Sequence, residues 1–234
     1  MELPQLVSQL SQAYGDSLRS ILLYGSAVAG EHRKKRSDFN VLVVLDRIPL
    51  ERLAPVGAVL RAWADGGNPP PMTFTLAEWR SSADVFPMEY ADILERHRVL
   101  FGEDVTEGIT VARADLRLEV EQQALGKLLH LRREAMAAGD DSSRQLRLLE
   151  ASLSAIMAVF RGVVRLHGEV PSSDYAALGA DVARRAGFDA APVQRIVEHV
   201  RGSRKIEKKE AATILTGYLA EMEALVAHLD QYAA

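Results

Sequence analysis

Leu23-Tyr24-Gly25-Ser26, then Gly30 after three residues, the basic run His32-Arg33-Lys34-Lys35-Arg36, and Ser37-Asp38-Phe39-Asn40 leading into Val41-Leu42-Val43-Val44-Leu45 decide the fold class of this 234-residue chain. Ile21 to Tyr24 is a short apolar run that stops at Gly25-Ser26, as a buried strand does when it runs into a turn. Phe39 to Leu45 is almost wholly apolar and rich in valine, the composition of a central strand covered on both faces. Two buried strands this close together imply a sheet.

Working outward, Leu3 to about Ser17 reads as an amphipathic helix with Leu6, Leu10 and Tyr14 on one stripe. Pro49 to about Ala64 reads as a helix carrying Leu53, Val56, Leu60 and Trp63, closed by Gly66-Gly67. Asn68-Pro69-Pro70-Pro71 signals a turn, and Met72-Thr73-Phe74-Thr75 a third strand whose Thr75 is placed to cap a short helix from Leu76 to Ser81. Pro87 to His97 is helical in pattern, and Arg98 to Phe101 with Gly102 fits an edge strand.

From about Ala112 the character changes to long stretches of 3.6-residue periodicity with no strand-like run. Leu118, Leu125, Leu128 and Leu129 form one expected core stripe. Leu146, Leu149, Leu153, Ile156, Met157, Phe160, Val163 and Val164 form a second, and Leu215, Tyr218, Met222, Leu225, Val226 and Leu229 a third. Pro171 and Ser172-Ser173 open a shorter helix from about Tyr175 to Arg185, closed by Gly187, and Pro192 sits in the first turn of the next. The expected fold class is α+β: a small mixed-sheet domain over residues 1–110, then an all-α helical bundle over 111–234.

Lys plus Arg total 28 against 32 Asp plus Glu, so nothing in the overall charge draws the chain to a polyanion, and nucleic acid is not an expected partner. No cysteine is present, which excludes disulfides and thiolate chemistry. Met1-Glu2-Leu3-Pro4 has neither a basic nor an apolar leader character, and no apolar run approaches the ~20 residues of a membrane span, so a cytoplasmic location is expected.

The string from Leu23 to Asn40 resembles the signature of the polymerase-beta-type nucleotidyltransferases: strand, Gly-Ser, a further Gly, then Asp-x-Asp entering the next strand. The layout is similar to that of the small two-domain antibiotic and minimal members of that superfamily. The resemblance spans roughly residues 18–110, and the helical half matches the family's habit of adding a bundle. It implies that Gly25 and Ser26 hold the phosphates of a nucleoside triphosphate, through close backbone approach and the serine hydroxyl. It also implies that positions 38 and 40, on one side of a strand, hold Mg²⁺ for transfer of a nucleoside monophosphate to a hydroxyl acceptor. Asp38 is then the metal ligand.

The second of that pair is Asn40, which offers a neutral carbonyl oxygen and removes one anion from a two-metal site. The third strand, Met72 to Thr75, carries threonines where the family places another acid; Glu78, Asp84 and Glu89 lie beyond it. Arg36 in the basic run and Lys127 on the first bundle helix are candidate phosphate contacts, with Arg132-Arg133 behind them. Each feature also has a plainer reading: Gly25-Ser26 as an ordinary turn, residues 32–36 as a solvated loop, Lys127 as helix surface, and the basic segment from Arg201 to Lys209 as a hydrated connection. Histidines 97, 130, 167, 199 and 228 show no metal-ligand spacing. Three functional readings stay open: a nucleotide-binding protein with an incomplete carboxylate set and little or no transfer activity, an active Mg²⁺-dependent transferase, or an interaction module, of toxin–antitoxin type or forming a homodimer through its bundle.

Overall fold

The computed structural model describes residues 1–28, 39–48 and 50–232, the side chains of Ser26 and Arg52 excepted. The chain divides into two compact units, Met1–Ala112 and Arg113–Ala234. The first is mixed α and β, the second all helical.

In the first unit, helix α1 (Leu3–Tyr14) buries Leu3, Leu6, Leu10 and Tyr14, the stripe its spacing predicts. Strand β1 (Leu18–Tyr24) ends in a single 3-10 turn at Gly25–Ala27, and β2 (Asn40–Leu45) pairs back antiparallel to it. Helix α2 (Leu53–Ala64) follows a 3-10 turn and buries Val56 and Trp63, whereas Leu53, expected on its apolar face, is exposed. Pro49, the expected start of that helix, lies outside the described residues. Strand β3 (Met72–Thr75) lies parallel to β2; then come α3 (Leu76–Ser81), α4 (Pro87–Glu95) and β4 (His97–Gly102). The sheet order is β3-β2-β1-β4, with β4 antiparallel to β1.

Strand alternation divides the core into two layers. Ile21, Leu23, Val41, Val43 and Leu45 face α1 and α2, while Leu22, Leu42 and Val44 face Trp79, Tyr90 and Ile93 of α3 and α4. β1 and β2 are thus covered on both faces, which is why their sequences read as continuous apolar runs. Where β4 crosses β1, Gly102 has φ of 73°, and a Cβ there would sit 1.9 Å from the backbone oxygen of Arg19, so only glycine fits.

The second unit consists of α5 (Arg113–Ala138), α6 (Ser142–Leu166), α7 (Tyr175–Ala186), α8 (Ala191–Arg201) and α9 (Ala211–Gln231). The stripes on α6 and α9 are buried largely as their periodicity predicts. Of the one on α5, Leu128 alone is buried. Its inward face is Leu116, Val120, Ala124, Leu128 and Leu131, and Leu118, Leu125 and Leu129 point to solvent.

The start of α7 is capped by Asp174, whose carboxylate accepts from the Ala177 amide, rather than by the serine pair before it. The connection after α8 is fastened by buried His199. Its Nδ1 accepts from the Ile206 amide at 2.9 Å, which leaves Nε2 as the N–H that donates to Glu150 at 2.8 Å. Of the basic residues around this connection, Arg201 pairs with Asp174 and Lys209 with Glu207. Among the described residues, no helix is long and apolar enough to cross a membrane.

Candidate functional site

Gly25 and Asn40 meet at one end of the sheet. Antiparallel pairing sets Tyr24 opposite Asn40, so the chain leaves β1 where it enters β2. Gly25 has φ of 77°, in the left-handed region that glycine adopts without strain. A Cβ added there would lie 3.2 Å from Asn40 Nδ2, so the bare backbone of the turn lies directly against the asparagine side chain. The turn is closed by the Val28 amide donating to the Gly25 carbonyl at 3.1 Å.

Asp38, the expected metal ligand, and Arg36 lie outside the described residues, as do Gly30 and the whole basic run; so does the hydroxyl of Ser26. Lys127 is partly buried on α5 in the second unit. Arg132 pairs with Glu223 there, and Arg133 with Glu134.

On the other side of β1, Tyr24 pairs with His97, so Asn40, Tyr24 and His97 form a row across three strands. Register partners share a face, and this row continues the Leu22–Leu42 face against which α3 and α4 pack. His97 is tied at both nitrogens: Nδ1 to the Ile93 carbonyl at 2.8 Å, Nε2 to Asp104 at 3.1 Å. The Thr106 hydroxyl donates to Asp104 at 2.6 Å. With that bond as the leading cause, helped by the Thr106 amide and by His97, the Asp104 carboxyl is held down at about 2.

Of the three acids offered by the sequence beyond β3, Glu78 is engaged in a helix cap. Its carboxylate accepts from the Thr75 amide at 2.7 Å while its own amide donates to the Thr75 hydroxyl, and the bond from the Thr75 amide is the main cause that lowers its pKa. Asp84 is exposed. Glu89 is the one whose charge acts on the row. Burial, then the charge of Glu89 and that of Asp92, pushes the Tyr24 hydroxyl up to about 12.

Glu89 and Asp92 are three residues apart on α4 and so share one helix face, with Glu89 Oε2 buried. Sequence reasoning reached Glu89 but missed Asp92, Tyr24 and His97. The signals were a tyrosine adjoining the Gly-Ser turn and a pair of acids at helical spacing on a helix that opens with Pro87.

The arrangement brings together, on one face of the sheet, a left-handed backbone turn, an amide side chain against it, and two acids whose charges act on Tyr24. Among the described residues, no three His, Asp or Glu side chains are grouped so as to hold a metal ion, and Asp38 is not among those residues. The described surface also has an open depression of about 380 Å³ bordered by Arg80, Ala83 and residues 107–110, which shares no residue with the Asn40–Tyr24–His97 row. No known family model matches the chain, and no curated protein matches it.

Proposed function

We propose that the first unit is a nucleotidyltransferase-type module that binds a nucleoside triphosphate at the Gly25–Asn40 end of its sheet and transfers nucleotide weakly or not at all. The observation that carries this reading is the contact between a left-handed glycine turn and Asn40 at the mouth of two paired central strands. A left-handed glycine turn of this kind allows the close backbone approach that polyphosphate binding uses. Asp38 precedes Asn40 by two residues, the spacing at which strand side chains share a side, and Glu89 supplies an acid from α4 on the Asn40 face.

The deficit lies at Asn40. A two-metal site needs enough anionic ligands to hold two dications near each other, and a neutral amide contributes a dipole where a carboxylate contributes a full charge. Mg²⁺ would be held by Asp38, with the amide oxygen of Asn40 and Glu89 as its neighbours; bound there, it would neutralise the triphosphate.

Calorimetric titration of each NTP with and without Mg²⁺, on the wild type and on Asn40→Asp, tests the reading. The expected result is NTP binding by both, with metal-dependent release of pyrophosphate gained in Asn40→Asp alone and lost again when Glu89→Gln is added. Turnover by the wild type at the rate of Asn40→Asp would show an active transferase instead. Absence of NTP binding in every variant would remove the nucleotide reading altogether.

A further inference from the structure

Helix α5 carries two apolar faces, and only one of them is used inside its own unit. Leu118, Leu125, Leu129 and Met136 are 60, 43, 54 and 76% exposed, although each is a large apolar side chain. At 3.6 residues per turn they fall within about 20° of one line along the side of the helix away from its buried face, forming a straight stripe about 27 Å long. Scattered surface leucines are ordinary, but four large apolar residues in line along one helix are not.

The stripe is a palindrome. Its spacings of seven, four and seven read the same in either direction about Lys127, which lies on the opposite side of the helix. The charges beside it are antisymmetric about the same point. Within about 60° of the stripe, the charged residues of the N-terminal half are Asp115 and Glu121, and those of the C-terminal half are Arg132 and Arg133.

We propose that this face of α5 is the contact between two copies of this chain, packed antiparallel about a twofold axis at the level of Lys127. Antiparallel docking puts Leu118 level with Met136 of the second copy and Leu125 level with its Leu129. On one flank, Glu121 then comes level with Arg132 of the second copy, and the twofold repeats the pair at the other end. Parallel docking would set acid against acid and base against base. An unrelated partner would require neither the symmetry of the spacing nor the reversal of charge; a second copy requires both.

Glu121 and Arg132 already make ion pairs within the unit, Glu121 a partly buried one with Arg117 at 3.0 Å and Arg132 a half-exposed one with Glu223 at 2.8 Å. The half-exposed pair is weak enough to be shared or exchanged at an interface. The proposal does not rest on the nucleotide reading, because it uses no residue of the first unit and its stripe lies on the side of α5 away from Lys127.

Sedimentation equilibrium of the full chain provides the test. The expected mass is twice the 25.7 kDa of one chain, falling to the single-chain value on dilution. Leu125→Glu, and independently Met136→Lys at the most exposed position, give single-chain mass with unchanged melting temperature. Glu121→Arg and Arg132→Glu each weaken self-association about tenfold or more, and both an equimolar mixture of the two and the double variant Glu121→Arg with Arg132→Glu recover it, because in either case each base at the two ends of the contact again faces an acid of the other copy. Single-chain mass for the wild type at all concentrations up to roughly 1 mM would overturn the proposal. So would a dimer indifferent to Leu125→Glu and Met136→Lys, or a double variant that associates no more tightly than either single charge reversal.

Discussion

Gly25 answers two demands at one position, a φ of 77° and a side-chain space already filled by Asn40. Alanine satisfies neither. Holding an L-residue in the left-handed region costs about 1–2 kcal/mol, and the new methyl must also push Asn40 aside. Gly25→Ala is therefore expected to lower unfolding free energy in urea by about that amount and to weaken NTP binding beyond what Asn40→Ala does. A variant as stable as the wild type would mean that the turn relaxes to a negative φ at no cost. The Gly25–Asn40 encounter was legible in the sequence because a glycine ending one buried strand and a polar residue opening the next have few other places to go. Tyr24, Asp92 and His97 were not legible. They join the row only through cross-strand register and helix docking, and nothing in their local sequence encodes either.

At the scale of the element, agreement between pattern and structure follows how many faces a pattern can satisfy. Strands β1 and β2 are apolar at nearly every position, so alternation leaves no doubt that both faces are covered. Helix α3 announces its own start. Thr75 and Glu78 exchange side-chain and backbone hydrogen bonds at 3.2 and 2.7 Å, a reciprocal cap that satisfies two amides the first turn would otherwise leave open. Thr75→Ala should cost about 1 kcal/mol in thermal or urea unfolding and Thr75→Ser far less, since the hydroxyl rather than the methyl makes the bond. Equal losses from the two would place the effect in the packing of the Thr75 methyl. Helix α5 misled for the opposite reason: it has two apolar stripes. The leucine-rich one at 118, 125 and 129 outweighs on sight the one that is buried, where Ala124 supplies a small contact between helices. Sequence periodicity fixes that a face is apolar and leaves open what will cover it.

Across the whole chain, the two units carry ionisable groups whose environments act at opposite ends of the pH scale. In the second unit, Glu221 of α9 is buried, and burial is the main cause that pushes its carboxyl from the ordinary 4.5 up to about 8. The charge of Asp189 adds to the rise, and the Val193 amide, donating at 3.2 Å, opposes it. A carboxyl whose folded pKa is raised holds its proton more tightly folded than unfolded. Its contribution to stability is fully present below about 4.5 and is lost as pH rises through about 8. Asp104 in the first unit runs the other way: with its folded pKa near 2 against an ordinary 3.8, its contribution is present above 3.8 and lost as pH falls through about 2. Hydrogen exchange followed by residue should therefore show the bundle loosening toward alkaline pH and the sheet unit toward strong acid. Glu221→Gln keeps an oxygen for the Val193 amide but has nothing to ionise. It should flatten the fall in melting temperature between pH 4.5 and 8 without changing the acid limb, and Asp104→Asn should do the reverse. If Glu221→Gln leaves the neutral-to-alkaline slope as steep as in the wild type, the burial of that carboxylate is not what weakens the bundle there, and its Oε2, which has no hydrogen-bond partner among the described residues, must be reached by water in solution.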